Sequence, residues 1–255
     1  SKRIFGEINQ SRFPNTQIHV MYQPVGVVAA LVPWDFPVTL ASRKISTALA
    51  AGCSVIVKPD VINPATEEVI GKASKANSSD VQKALKSAEK GLQIWKNTSP
   101  WERSKIIRKI SDLIRKRVDV LSKWLTLEVG KPLTEGPGEI GGAADIFEWN
   151  SEETKRIFGE INQSRFPNTQ IHVMYQPVGV VAALVPWNFP VILASRKIST
   201  ALAAGCSVIV KPDVITPGSV MEIVDICREA GVPAGVVNLL SGDPAGISEE
   251  LIKSD

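Results

Sequence analysis

The run Val185-Pro186-Trp187-Asn188-Phe189-Pro190 sets one amide side chain between two aromatic rings and two prolines. The prolines take freedom out of the backbone and the rings form an apolar wall, so the Asn188 amide would point in a set direction. An amide NH2 is a donor, and a fixed donor can stabilise a developing oxyanion; losing one costs on the order of 3 kcal/mol of transition-state stabilisation. The spacing serves equally well for a helix cap and does not choose between the two. Lys211, which closes the apolar run Val208-Ile209-Val210, could hydrogen-bond the ribose hydroxyls or phosphates of a nucleotide. A solvated lysine at a strand end is the plainer alternative.

Other chemistry-bearing side chains read as structural. The 3 cysteines, Cys53, Cys206 and Cys227, are an odd number without metal-type spacing, and each sits in an apolar helical or helix-end context. Small buried thiols are expected there rather than a disulfide or a nucleophile. The 2 histidines, His19 and His172, are one position of a repeated string, and with no carboxylate cluster beside them they read as strand residues; no metal site is expected. Gly136, Gly138 and Gly141 have the G-x-G-x-x-G spacing of a dinucleotide loop, but Pro137 lies inside it and no apolar strand precedes it, so a loop between two helices is expected. Asn77, Asn97 and Asn162 open N-x-S/T triplets that, without a secretory signal, are chance matches.

The elements that must position Asn188 and Lys211 follow from the text around them. Short apolar runs flanked by Gly or Pro read as buried parallel strands, and LASRKISTALAAG between two such runs supplies about three helical turns. Thr216 and Pro217 then start a helix that Gly231 ends, Val236 to Leu240 gives a third strand, and Pro244 to Ile252 a further helix. The order β-α-β-α-β-α over residues 180–252 predicts an α/β fold, a partial doubly wound, Rossmann-like parallel sheet with flanking helices. Both turns then fall beyond the carboxyl ends of the strands, the edge where such sheets bind nucleotides and substrates.

Upstream, Ser78, Ser79 and Asp80 are expected to cap a helix through Trp95, and Ser99, Pro100 and Glu102 to start a long helix that Gly130 stops. That helix would bury Ile106, Ile110, Ile114, Leu121 and Leu125, while Arg103, Lys105, Arg108 and Arg115 form a solvated face. A nucleic-acid stripe is disfavoured, because no aromatic platform accompanies the charge. A helix over Glu139 to Phe158 and a strand over Ile171 to Tyr175 complete the approach.

The bulk numbers exclude several classes. A chain of 255 residues that is 44% hydrophobic and 22% charged is an ordinary globular sequence, neither disordered nor fibrous. With 29 basic and 26 acidic residues the net charge is +3, too even for a nucleic acid or membrane partner. The opening SKRIFGEINQ lacks an apolar signal region and no run reaches the roughly 18 apolar residues of a membrane span, so a cytoplasmic setting is expected.

Residues 2–62 recur as residues 155–215 at an offset of 153, with Asp35 for Asn188 and Thr39 for Ile192 the two differences. Two domains are expected: 1–62, a duplicated copy of the β-α-β segment matching 154–215, and 63–255. At the Asn188 position the first copy offers a carboxylate, an acceptor that repels negative charge, so the second copy would carry the function.

The string VGVVAALVPWNFPVILASRKISTALAAGCSVIVKP, with TP following and GVPAGVVNLLSG downstream, closely resembles the NAD(P)-dependent aldehyde dehydrogenase superfamily. INPATEEVIGKA, the helix Val81 to Trp95, and EVGKPL followed by GEIGGAADIFEWNSEE resemble that family's N-terminal portion in its usual order, over residues 61–255. The flavour is nearest to succinate-semialdehyde dehydrogenase-like members. The resemblance implies that 63–255 is the N-terminal part of a cofactor-binding domain and that Asn188 holds the oxyanion together with a backbone NH beside the nucleophile. It implies further that Val185, Pro186 and Trp187 line the cofactor and that Lys211 contacts the adenosine ribose. Many NAD-preferring members carry a glutamate three residues after that lysine; here Val214 stands there, beside Asp213, so the cofactor is NAD or NADP. A small-molecule aldehyde substrate is implied, and a homo-oligomer paired through the strand near Ile171 to Tyr175.

The family's catalytic cysteine, its general-base glutamate and its G-x-T-x-x-G cofactor signature find no match before Asp255. An intact member attacks the aldehyde with cysteine, passes hydride to nicotinamide and hydrolyses the thioester. The expectation is a truncated family member, inactive as an isolated chain. A non-catalytic dinucleotide-binding or subunit-docking fragment is the alternative, and in a third view the first copy shields the sheet edge after Val236 to Leu240.

Overall fold

Two units partition the chain in the computed structural model, Ser1–Pro59 and Asp60–Asp255. The structure describes residues 61–71 and 73–254, together with the backbone of four short strands before residue 57. In the first unit β1 (Glu7–Gln10) pairs antiparallel with β2 (Gln17–Val20), Glu7 opposite Val20. There β3 (Val27–Ala29) pairs parallel with β4 (Ser54–Ile56), Val27 beside Ser54. The helix expected between β3 and β4, with Asp35, Thr39 and Cys53, lies outside the described residues.

The second unit opens with a small hairpin of β5 (Val61–Ile62) and β6 (Val69–Gly71). Helix α1 (Ser78–Asn97) is started by Asn77 rather than by the serines after it: the Asn77 side chain accepts from the Asp80 N–H while Asp80 accepts from the Asn77 N–H. This reciprocal pair satisfies two of the donors that every helix start leaves orphaned.

The single long helix expected from Pro100 is two. Arg117 leaves helical geometry at φ −105 and ψ 19, dividing α2 (Pro100–Lys116) from α3 (Val118–Val129). Within α2 it is Ile107, not Ile106, that is fully buried; Ile106 is partly so. Gly130 ends α3 in the left-handed region at φ 75, and a Cβ there would stand 2.8 Å from the Pro64 ring, so the position needs glycine twice over.

Helix α4 (Gly136–Glu153) follows and passes into a short 3-10 turn, Thr154–Arg156. Gly136, Gly138 and Gly141 therefore lie in its first turns, not in the loop expected. Proline is tolerated at a helix start, where its missing N–H has no helical partner to lose. Gly136 also lets α4 approach α3, since a Cβ there would be 2.8 Å from the Ser122 Cβ. An exposed ribbon comes next, β7 (Glu160–Gln163) antiparallel to β8 (Gln170–Val173). The strand expected to Tyr175 ends at Val173, and its partner β7 had no forecast.

Then β9 (Val180–Val185), α5 (Pro190–Ala203), β10 (Ser207–Pro212), α6 (Pro217–Ala230), β11 (Val237–Leu239) and α7 (Pro244–Lys253) alternate as expected. The sheet is parallel in the order β11-β10-β9. Central β10 is buried at every residue, as a parallel strand covered on both faces must be. Val208 and Val210 join the larger core with α2 to α6, while Ile209 meets Val81 and Ala88 of α1 and Ile247 and Leu251 of α7.

Arg103, expected in solvent, is buried: its Nη1 donates to the Thr98 carbonyl at 3.2 Å and the Trp95 carbonyl at 3.4 Å, closing the C-terminus of α1. Elsewhere on that basic face Lys105 is exposed as expected, whereas two arginines are engaged within the protein. Arg108 pairs with Glu152 at 2.6 Å and Arg115 with Asp145 at 2.7 Å, both on α4, and Arg117 pairs with Glu222 at 3.4 Å on α6. Among the described residues no helix is long and apolar enough to cross a membrane.

Candidate functional site

The register of β9 on β10 sets Leu184 beside Lys211 and Val185 beside Pro212, so the turns that leave the two strands open side by side. In the first turn Val185 and Pro186 are buried, Trp187 is half-buried and Asn188 is exposed. The indole Nε1–H of Trp187 is buried without a hydrogen-bond partner. Asn188 does not cap α5. The N-cap is Phe189, an aromatic residue in the left-handed region at φ 60 and ψ 53, which makes no side-chain cap.

The α5 N-terminus is satisfied from elsewhere. Glu139, in the first turn of α4, accepts from the Val191 N–H at 3.0 Å and from the Ile192 N–H at 3.3 Å. Its second oxygen is ion-paired with Lys131, whose Nζ lies 4.1 Å from the centroid of the Phe189 ring. Lys197 of α5 reaches back to donate to the Leu184 carbonyl at the end of β9.

In the second turn Lys211 is fully buried, which sets aside the solvated alternative, and its Nζ donates to the Pro212 carbonyl at 2.8 Å. Burial pulls its pKa down to about 8, against the opposing pull of the Asp213 and Asp243 charges. Asp213 is buried and accepts from the Ile215 N–H at 3.1 Å; burial pushes its carboxyl up. Val214 beside it is half-buried.

Thr216 occupies the N-cap of α6 but its side chain makes no cap. Glu128, near the end of α3, does so instead, accepting from the Ser219 N–H at 3.0 Å and from the Gly218 N–H. Burial pushes the Glu128 carboxyl up to about 7, with those two N–H donors pulling the other way. The third strand contributes Asp243, which caps α7 through the Gly246 N–H at 2.8 Å.

Five contributors thus escaped the sequence reading: Lys131, Glu128, Glu139, Lys197 and Asp243. Asp243 was legible, as an acidic residue directly before Pro244 is a helix-start signal. Glu139 and Glu128 were not, because they cap helices 52 and 90 residues further along the chain. No local spacing encodes such a pairing.

The described cysteines are buried and free, and burial pushes the Cys227 thiol up to about 12. His172 lies in β8. Among the described residues no group of three or more His, Cys, Asp or Glu is placed to hold a metal ion.

The edge presents an exposed amide and a buried indole N–H without a hydrogen-bond partner, with the Lys211 ammonium buried next to them. A buried donor left unpaired is costly, and an acceptor oxygen of a bound ligand would satisfy it. The residues present therefore fit an acceptor-rich ligand such as a dinucleotide.

Comparison with known proteins gives the edge its context. The family model described as "Aldehyde dehydrogenase family" matches residues 1–60 and 60–255. A succinate semialdehyde dehydrogenase of Acinetobacter baylyi is 42% identical over 198 residues, covering 78% of this chain and 41% of that protein. A succinate-semialdehyde dehydrogenase of Escherichia coli K12, whose name specifies NADP(+), is 39% identical over 75% of this chain and 40% of its own length. Among solved structures, a succinate-semialdehyde dehydrogenase from Burkholderia pseudomallei superposes with a TM-score of 0.75 at 39% identity, over 76% of this chain and 40% of that one. The chain thus spans about 40% of the length of the curated relatives it matches.

Proposed function

Because the chain belongs to the aldehyde dehydrogenase family, we propose that it forms the cofactor edge and the oxyanion donor of an NAD(P)-dependent oxidoreductase that converts an aldehyde to a carboxylic acid. The observation that carries this is the side-by-side opening of the two turns, with Lys211 in register with Leu184 and the unpartnered Trp187 donor on the neighbouring turn. When bound, the cofactor supplies the hydride acceptor. The chain's own residues bind and orient: Val185, Pro186 and Trp187 form the wall, and Lys211, with Asp213 and Val214 behind it, meets the ribose. Asn188 donates its NH2 to the oxygen that gains charge as the aldehyde is attacked.

NADP is compatible with Val214, which does not repel a 2'-phosphate, and the name of the Escherichia coli relative specifies that cofactor. The substrate class would be a semialdehyde, an aldehyde that carries one carboxylate at its far end, as the names of the relatives suggest. Residues 1–62 would be a copy of 154–215, and 63–255 the N-terminal part of the cofactor-binding domain. A homo-oligomer agrees with the exposed ribbon, where Ile161 and Ile171 face solvent, and light scattering of the purified chain would read it. The cytoplasmic setting is tested by fractionation.

Calorimetric titration of the whole chain with NAD+ and with NADP+ tests the core of the proposal. Heat from at least one is expected, weakened in Lys211→Met, and no heat from either defeats it. A second reading, dinucleotide binding without catalysis, draws support from the unpartnered Trp187 donor at the edge. Cofactor binding without oxidation of succinate semialdehyde favours it, and measurable turnover by the purified chain rules it out.

A further inference from the structure

A helix start leaves four N–H groups without partners, and an asparagine next to one is readily drawn into capping it. Asn188 stands two residues before Pro190, the first residue of α5, yet it is exposed and caps nothing. Two features explain why. The Glu139 carboxylate already holds the Val191 and Ile192 N–H groups at 3.0 and 3.3 Å. Phe189 between them is left-handed, a conformation that costs a bulky residue on the order of 1 kcal/mol or more and persists only when its surroundings hold it.

Lys131 joins the two features. Its ammonium pairs with the second oxygen of Glu139 and lies 4.1 Å from the Phe189 ring centroid. The Glu139 side chain is buried, at 1% exposed, and that of Lys131 nearly so, at 11%, so their attraction is little screened. Lys131 follows Gly130, whose left-handed turn brings the chain off α3 and into this position.

We propose that Glu139 and Lys131 are positioning residues for Asn188: the carboxylate occupies the α5 N-terminus in place of the asparagine, and the ammonium holds Phe189 in the turn that keeps the amide outward. The inference rests on Asn188 being the oxyanion donor. Its chemical point is that an asparagine turned inward to cap with its Oδ1 would carry its NH2 donor away from a developing oxyanion.

The test uses the whole chain labelled with 15N-asparagine, with the Asn188 side-chain signal assigned by its loss in Asn188→Ser, and hydrogen exchange read at Val191 and Ile192. Glu139→Ala is expected to lower exchange protection at both amides by about tenfold, the loss of one charge-assisted acceptor, and to move the Asn188 signal as the amide turns inward to cap. Glu139→Gln, which keeps the shape, tests the same displacement with a weaker acceptor and is expected to move the Asn188 signal in the same direction. Lys131→Met is expected to move that signal while Val191 and Ile192 stay protected, and Lys131→Arg to restore it. Glu152→Gln, on the outer face of α4, is the control and changes neither. An Asn188 signal unmoved in both Glu139 variants overturns the proposal. Failure of the functional assignment shows separately, as a wild-type chain that binds neither NAD+ nor NADP+ whatever the spectra report.

Discussion

Gly91, midway along α1, and Gly235, just before β11, meet backbone to backbone: a Cβ built on Gly91 would stand 2.2 Å from the Gly235 carbonyl carbon. Alanine in a helix interior is worth about 1 kcal/mol over glycine, so an exposed Gly91 would be improved by the change. Here the clash falls on backbone atoms that cannot rotate away, and overpacking of this kind costs about 1 to 3 kcal/mol or more. Gly91→Ala is expected to destabilise the chain by about 2 kcal/mol net, with a fall in Tm of roughly 4 to 8 °C in a thermal melt.

Glu128 gives the fold a pH dependence in the neutral range. Its folded pKa, about 7, lies above the ordinary 4.5, so between those values the folded state binds more protons than the unfolded one. Stability from this group is greatest below about 4.5 and falls as pH rises through about 7, by on the order of 3 kcal/mol in all. In Glu128→Gln, where a neutral amide oxygen faces Gly218 and Ser219, the decline in urea midpoint between pH 5 and 8, approximate limits of that window, is expected to disappear.

Lys211 acts with the opposite sign in a higher window. Its folded pKa, about 8, lies below the ordinary 10.5, so the unfolded state binds more protons between them. Stability from this group rises with pH over that window and is lost below it. Urea midpoints of the wild type should climb from pH about 8 to about 10, and those of Lys211→Met should not.

Arg103 ties the C-terminus of α1 to the start of α2. Arg103→Met removes a charged donor from one buried and one part-buried carbonyl group, and a loss of about 2 to 3 kcal/mol is expected by chemical denaturation. Arg103→Lys keeps the charge without the planar fork and should recover only part of it.

The order of strands and helices over residues 180–252 was legible because each element is bounded by residues that act on their own neighbours. Pro190, Pro217 and Pro244 start the helices, Gly231 ends one in the left-handed region, and unbroken apolar runs mark strands covered on both faces. The approach helices were less legible. The break at Arg117 has no glycine or proline to announce it; the guanidinium is held by acidic residues on α6, more than a hundred positions away. Arg103 looked solvated because helical periodicity reports a face and not what packs against it.

Sequence alone determined the α/β alternation, the family, and the two turns that carry Asn188 and Lys211, since all three rest on residue types and short spacings. Tertiary structure alone decided that Asn188 stays out of its helix, that Lys211 is buried, and that Glu128 and Glu139 hold the starts of α6 and α5. The reason is one of range. Turn and capping chemistry acts within a few residues, whereas the carboxylate that satisfies a helix end is chosen by which layer of the fold lies against it.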